Sequence, residues 1–94
     1  MLEYDRKELG KHLKSNRKRV NLTQSEVSDR LGYTSPQFIS NIERGISVIP
    51  LDTLAKMLKL YKANPNKATD IILGSQEQLL FEKLRRDAKL KSKI

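Results

Sequence analysis

Helix punctuation constrains this 94-residue chain more than any other feature. Ser, Thr or Asp followed three residues later by Glu or Gln is a capping box. Its two side chains satisfy backbone N–H groups that the first turn of a helix leaves free. The pattern occurs at Asp5 with Glu8, Thr23 with Glu26 and Ser75 with Gln78. Two further starts, Ser35-Pro36 and Asn64-Pro65, join a favoured N-cap to a proline, whose fixed φ suits the first helical position. Gly32, Gly45 and Gly74 offer stops. The one β-prone run, Ile46-Ser47-Val48-Ile49-Pro50, ends in proline and lacks a partner, so it reads as an extended loop. The chain is expected to be all-α, with five or six short helices.

Apolar spacing fills this frame. Leu9 and Leu13 share a face of a first helix over residues 5–19. Val27 and Leu31 mark a second that stops at Gly32, and Ile39 and Ile42 a third that ends near Arg44-Gly45. Leu51, Leu54, Ala55, Leu58 and Tyr61 recur at helical spacing in a fourth. A fifth should run from Asn64-Pro65 to Gly74, and a last from Ser75, with Leu80, Leu84 and Ala88 facing inward. Residues 1–74 then form one domain, and residues 75–94 a basic C-terminal helix or tail. No repeat of roughly 20–50 residues is visible.

Lys and Arg number 19 against 11 for Asp and Glu, a formal net charge of +8. That favours a polyanionic partner: DNA, RNA or an anionic membrane surface. The length fits a single domain and leaves no room for a separate sensor or catalytic domain. Absence of Cys excludes disulfides, thiolate zinc sites and a thiol nucleophile. His12 is the lone His, a surface residue in preference to a ligand, so neither metal nor cofactor is expected. Asp70, Glu77, Glu82 and Asp87 are scattered, and no phosphate-binding glycine loop occurs, so catalysis has no support. Met1-Leu2-Glu3-Tyr4-Asp5 does not resemble a secretory signal, and no apolar run reaches membrane-spanning length. A cytoplasmic, nucleoid-associated protein is expected.

The informative stretch is residues 22–45, LTQSEVSDRLGYTSPQFISNIERG. A short capped helix, a glycine turn and a second short helix form a helix-turn-helix unit, whose second helix can enter a DNA major groove. Gln37 and Asn41 lie four residues apart on its outward face. Each amide carries a donor and an acceptor, matching the N6/N7 edge of adenine.

Leu22-Thr23-Gln24, Leu31-Gly32 and above all Ile39-Ser40-Asn41-Ile42-Glu43-Arg44-Gly45 resemble the phage-repressor-like helix-turn-helix domains of the Xre/Cro type. Pro50, Asp52-Thr53-Leu54 and Leu58 extend the resemblance over roughly residues 5–62. It implies a compact five-helix, lambda-repressor-like DNA-binding domain, with the basic C-terminal helix added. It also implies DNA contacts by Thr23, Gln24, Ser35, Gln37, Phe38, Ser40, Asn41, Arg44 and Ser47. Gln24 would clamp a phosphate at the N-terminus of the second helix. Phe38 would touch a thymine methyl or cover the adjoining core. Arg17 and Glu43 match the family's internal ion pair.

Two departures stand out. The span from Gly32 to Ile39 is one residue longer than the commonest family pattern, and the extra residue is placed in the turn before Ser35. The loop after Gly45 is apolar at Val48 and Ile49, leaving Ser47 to meet phosphate; the apolar pair would pack on a dimer partner or on the C-terminal helices. Lys7, Lys11, Lys14 and Lys18 form a basic stripe that is either solvated or flanks phosphates. Six basic residues against Asp87 alone between Lys83 and Lys93 make the tail either a solvated helix end or a DNA- or partner-binding arm.

The expected function is a repressor-like regulator that binds double-stranded operator DNA as a homodimer. Ile71, Ile72, Leu79, Leu80 and Phe81 would supply the dimer interface or close the domain's own core. The alternative is an antitoxin-like or adaptor protein whose residues 75–94 bind a protein partner.

Overall fold

The computed structural model describes residues 4–92, with the side chains of 75–79 and 86–92 outside the description. Five helices follow one another: α1 (Arg6–Arg19), α2 (Gln24–Leu31), α3 (Gln37–Glu43), α4 (Leu51–Leu60) and α5 (Asn66–Ser92). No strand occurs among the described residues. Asp5 caps α1 by accepting from the Glu8 N–H at 3.0 Å. At α2 the capping box is reciprocal. Thr23 Oγ1 accepts from the Glu26 N–H, and Glu26 Oε1 accepts from the Thr23 N–H. Gly32 ends α2 with φ 85°, a left-handed conformation that suits glycine, and the Tyr33 N–H reaches back to the Ser28 carbonyl.

One core joins all five helices. Leu9 and Leu13 of α1, Val27 of α2, Ile39 and Ile42 of α3, Leu54, Met57 and Leu58 of α4, and Ala68, Ile71 and Ile72 of α5 are buried together with Tyr61. Each large side chain so removed from water stabilises the fold by about 1.5–3 kcal/mol. The 46–50 loop is split: Ile49 is buried in this core while Val48 is exposed. Gly10 permits the closest approach. A Cβ there would lie 2.5 Å from the Glu43 carbonyl oxygen, so α1 and the end of α3 meet backbone to backbone.

Two expectations fail. The helix begun near Asn64-Pro65 does not stop at Gly74; α5 runs on for 27 residues. Gly74 is exposed and would meet nothing within 4 Å as alanine. Unlike Gly32 and Gly45, it is absent from the positive-φ glycines. A glycine stops a helix when the chain must turn left-handed there; otherwise it costs the helix only about 0.5–1 kcal/mol. The Gln, Glu, Leu, Lys and Arg that follow it are strong helix formers and carry α5 onward. The second failure follows from the first. Leu80 and Leu84 do not face inward: both are 59% exposed, because α5 has passed the end of the core. Ala88 lies outside the described side chains. The radius of gyration, 16.7 Å, exceeds the roughly 12 Å of a compact chain this long, and the longest dimension is 58 Å. Ile71 and Ile72 close the protein's own core, whereas Leu80 and Phe81 remain exposed and Leu79 is outside the described side chains.

Candidate nucleic-acid interface

Glu43, the last residue of α3, organises the unit. Arg17 Nε lies 2.6 Å from Glu43 Oε2 and Nη2 lies 3.0 Å from Oε1, a two-point ion pair whose side chains are 9% and 2% exposed. Arg17 Nη1 also donates to the Leu22 carbonyl at 2.8 Å. Gln24 Nε2 donates to Glu43 Oε1 at 2.9 Å. One carboxylate therefore ties α1, the start of α2 and the end of α3, and it accepts three hydrogen bonds that compensate the burial of its charge. The hydrogen bond from Arg17 is answered in its own titration, which is pushed upward mainly by Glu43.

The turn between α2 and α3 has separate supports. Ser28, buried on α2, donates from Oγ to the Ser35 carbonyl at 2.6 Å. Tyr33 and Phe38 pack edge to face with ring centroids 4.9 Å apart, and the Tyr33 hydroxyl lies 3.4 Å from Thr53 Oγ1 on α4. α3 opens one residue later than the Ser35-Pro36 pattern suggests. Pro36 occupies the cap position in a right-handed conformation, and Ser35 Oγ is 3.4 Å from the Gln37 N–H, a long contact.

These supports leave an outward stripe on α3. Gln37 Nε2 donates to Asn41 Oδ1 at 3.0 Å, and Arg44 Nη2 donates to the same oxygen at 2.7 Å. Gln37 and Arg44 are exposed, Asn41 half-buried. The remaining site residues fall elsewhere. Phe38 is half-buried against the core and the Tyr33 ring. Ser40 is half-buried, Ser35 is exposed, and the Ser47 N–H lies 3.3 Å from the Asn41 carbonyl. Thr23 spends both its hydroxyl and its N–H on the capping box. Gln24 borders an open cleft of about 710 Å³ with Arg17, Lys18, Asn21, Thr23 and Ser25, at the N-terminal end of α2 where free N–H groups favour anions. On α1, Lys7, Lys11, Lys14 and Lys18 are exposed, and Lys7 packs against Gly45 just past α3.

Sequence reasoning missed Gly10, Ser28 and Tyr33. Gly10 carried a usable signal, since an isolated glycine inside a helical pattern often marks close backbone approach. Ser28 and Tyr33 carried none, because a serine beside Val27 and a tyrosine in a turn look like solvent-facing residues. Among the described residues no cluster of His, Asp and Glu could hold a metal, and no helix is long and apolar enough to cross a membrane.

Residues 13–67, more than half of the chain, match the helix-turn-helix family HTH_3. No curated protein sequence matches the chain. Among solved structures, the clp gene regulator ClgR from Corynebacterium glutamicum is similar at 25% identity and a TM-score of 0.65, over 97% of each chain. Another structure of ClgR gives a TM-score of 0.64 at 25% identity, over 80% of this chain and 95% of that one. The restriction-modification controller protein C.AhdI from Aeromonas hydrophila shares the fold at 21% identity, with a TM-score of 0.60 over 66% of this chain and 88% of its own. The chain thus belongs to the Xre/Cro-type helix-turn-helix family, whose members are regulators of transcription that bind double-stranded DNA and are not enzymes.

Proposed function

We propose that this protein is a non-catalytic, repressor-like regulator that binds an operator sequence-specifically as a homodimer, with α3 in the major groove. The observation that carries the reading is the Gln37–Asn41–Arg44 stripe. It is the polar, outward side of a helix whose other side is fixed by Ile39, Ile42 and the buried Arg17–Glu43 pair. A rigidly seated helix with hydrogen-bonding groups outward is what base-edge reading needs. Backbone N–H groups at the start of α2, the Gln24 amide and the exposed lysines of α1 are suited to phosphate. Ser35, Ser40 and Ser47 flank the stripe as weaker contacts, Thr23 serves through its cap, and Phe38 acts by holding the turn. The location that suits this work is the cytoplasm, on the nucleoid.

A single unit of this size covers few base pairs, so two copies on a palindrome, with half-sites about 34–36 Å apart, supply the missing affinity. Residues 75–94 then serve the pairing, while residues 1–74 bind DNA. Selection of bound sites from random duplex DNA, with the mass of the complex measured, tests the reading. A palindromic consensus bound by two chains is expected; indifference to sequence, or one chain per site, would overturn it.

A second reading rests on Leu80, Phe81 and Leu84, which are exposed on the projecting part of α5. An antitoxin-like or adaptor protein would use this surface for a different protein. Co-purification of such a partner, lost when residues 75–94 are removed, would favour it.

A further inference from the structure

Arg44 settles which way the amides of α3 point. A guanidinium carries only donors, so the Asn41 atom 2.7 Å from its Nη2 is the oxygen Oδ1. The Gln37 atom 3.0 Å from that same oxygen must then be a donor, Nε2. Both lone pairs of Asn41 Oδ1 are therefore taken. What α3 still offers a partner is uneven. Asn41 retains two N–H donors and no spare acceptor, and Arg44 retains its other N–H groups. Of these three side chains, Gln37 alone keeps both an acceptor, Oε1, and a free N–H.

Two-point recognition of adenine requires a donor and an acceptor on one amide, whereas guanine presents two acceptors, N7 and O6. Asn41 could serve adenine only by giving up its short, charge-assisted bond from Arg44, a stronger bond than a neutral one. A guanine contact leaves that bond intact. We propose that Asn41 and Arg44 form a donor-only pair that selects a guanine in each operator half-site, with Gln37 alone reading a mixed donor–acceptor edge. This rests on the reading that α3 enters the major groove, and it names the base chemistry that α3 takes there. It also reverses the expectation, drawn from residue types, that Asn41 suits adenine.

The test compares sites selected from random duplex DNA by the full chain and by its Asn41→Asp variant. Aspartate still accepts from Gln37 and Arg44 but has no donor, so it separates holding the network together from touching the base. The wild-type consensus is expected to contain a guanine in each half-site. Replacing that guanine by 7-deazaguanine, which lacks the N7 acceptor, should weaken binding about tenfold. Asn41→Asp should move the preference at that base pair to a base with an exocyclic amine, cytosine or adenine.

A wild-type consensus without a shared guanine, or one indifferent to 7-deazaguanine, overturns the proposal and leaves the DNA-binding reading standing. So does an Asn41→Asp variant that selects the wild-type base. If Asn41→Asp binds too weakly for selection, the 7-deazaguanine comparison on the wild-type chain decides alone. A wild-type chain that selects no consensus overturns the reading of α3 and the proposal with it.

Discussion

Glu43 joins three helices through one carboxylate, so its removal should be felt well beyond α3. Glu43→Ala leaves the Arg17 guanidinium buried without its counter-charge and Gln24 without its acceptor. Breaking a buried pair from one side costs about 3–5 kcal/mol. Urea unfolding of the variant should show a loss of that order; a loss under about 1 kcal/mol would mean the pair is dispensable. Tyr61 presents the opposite case. It is fully buried, burial and the nearby Glu43 charge push its phenol upward, and its hydroxyl finds no hydrogen-bond partner among the described residues. Tyr61→Phe removes a group that gains nothing from being there, so stability should stay level or rise by up to about 1 kcal/mol. A clear loss would reveal a partner for that hydroxyl. The two residues also differ in legibility. Glu43 was readable through its motif, as the partner of Arg17, but the share taken by Gln24 was not. Side chains far apart in sequence meet only once the helices have packed.

At the scale of elements, local chemistry marked the starts of α1 and α2 well but offered a false start at Ser75, which lies inside α5, and three of the four glycines show where such reading ends. Gly32 and Gly45 are left-handed stops with φ 85° and 75°, while Gly74 sits inside α5. All three follow an apolar helical pattern, and sequence cannot distinguish a turn from a continuation when good helix formers lie on both sides. Because Gly74 needs no special φ and has open space around it, Gly74→Ala should stabilise α5 by about 0.5–1 kcal/mol. Higher helical content by circular dichroism and a raised melting point would be the signs; a lowered melting point would mean that the glycine is required.

Acid should act on α1 and α2 together. Glu26 titrates below its ordinary 4.5, chiefly because it accepts from the Thr23 N–H. Its contribution to the α2 cap is present above that ordinary value and disappears as pH falls through the lowered one. His12 is held below 6.5 by burial and by Lys67 of α5. The unfolded chain therefore takes up the proton more readily, and stability declines as pH drops below 6.5. Unfolding midpoints should fall in two stages, first near neutrality and again in the carboxylate range. His12→Asn should remove the first stage and leave the second; persistence of both would assign the first to another group.

The whole molecule is a small core with a long projecting helix, and the projection needs an explanation that the core does not supply. Twenty-seven residues of helix extend about 40 Å, and the distal part bears Leu73, Leu80 and Leu84, seven and four residues apart on one face, with Phe81 beside them. Their exposures run from 55% to 66%. A chain of net charge +8 would not need such a face to remain in solution. Paired across a two-fold axis, the same face would be covered and two copies of α3 would be presented to one duplex. The double variant Leu80→Glu, Leu84→Glu places charge where the copies would meet but touches nothing in the core, so its melting point should stay near that of the wild type. Its mass in solution should fall from twice 10.8 kDa to 10.8 kDa. Affinity for a full palindrome should drop toward that for a single half-site, while half-site affinity stays unchanged. A variant still dimeric by sedimentation would move the interface off α5. A variant that is monomeric yet binds the palindrome as well as the wild type would show that pairing on α5 plays no part in operator binding.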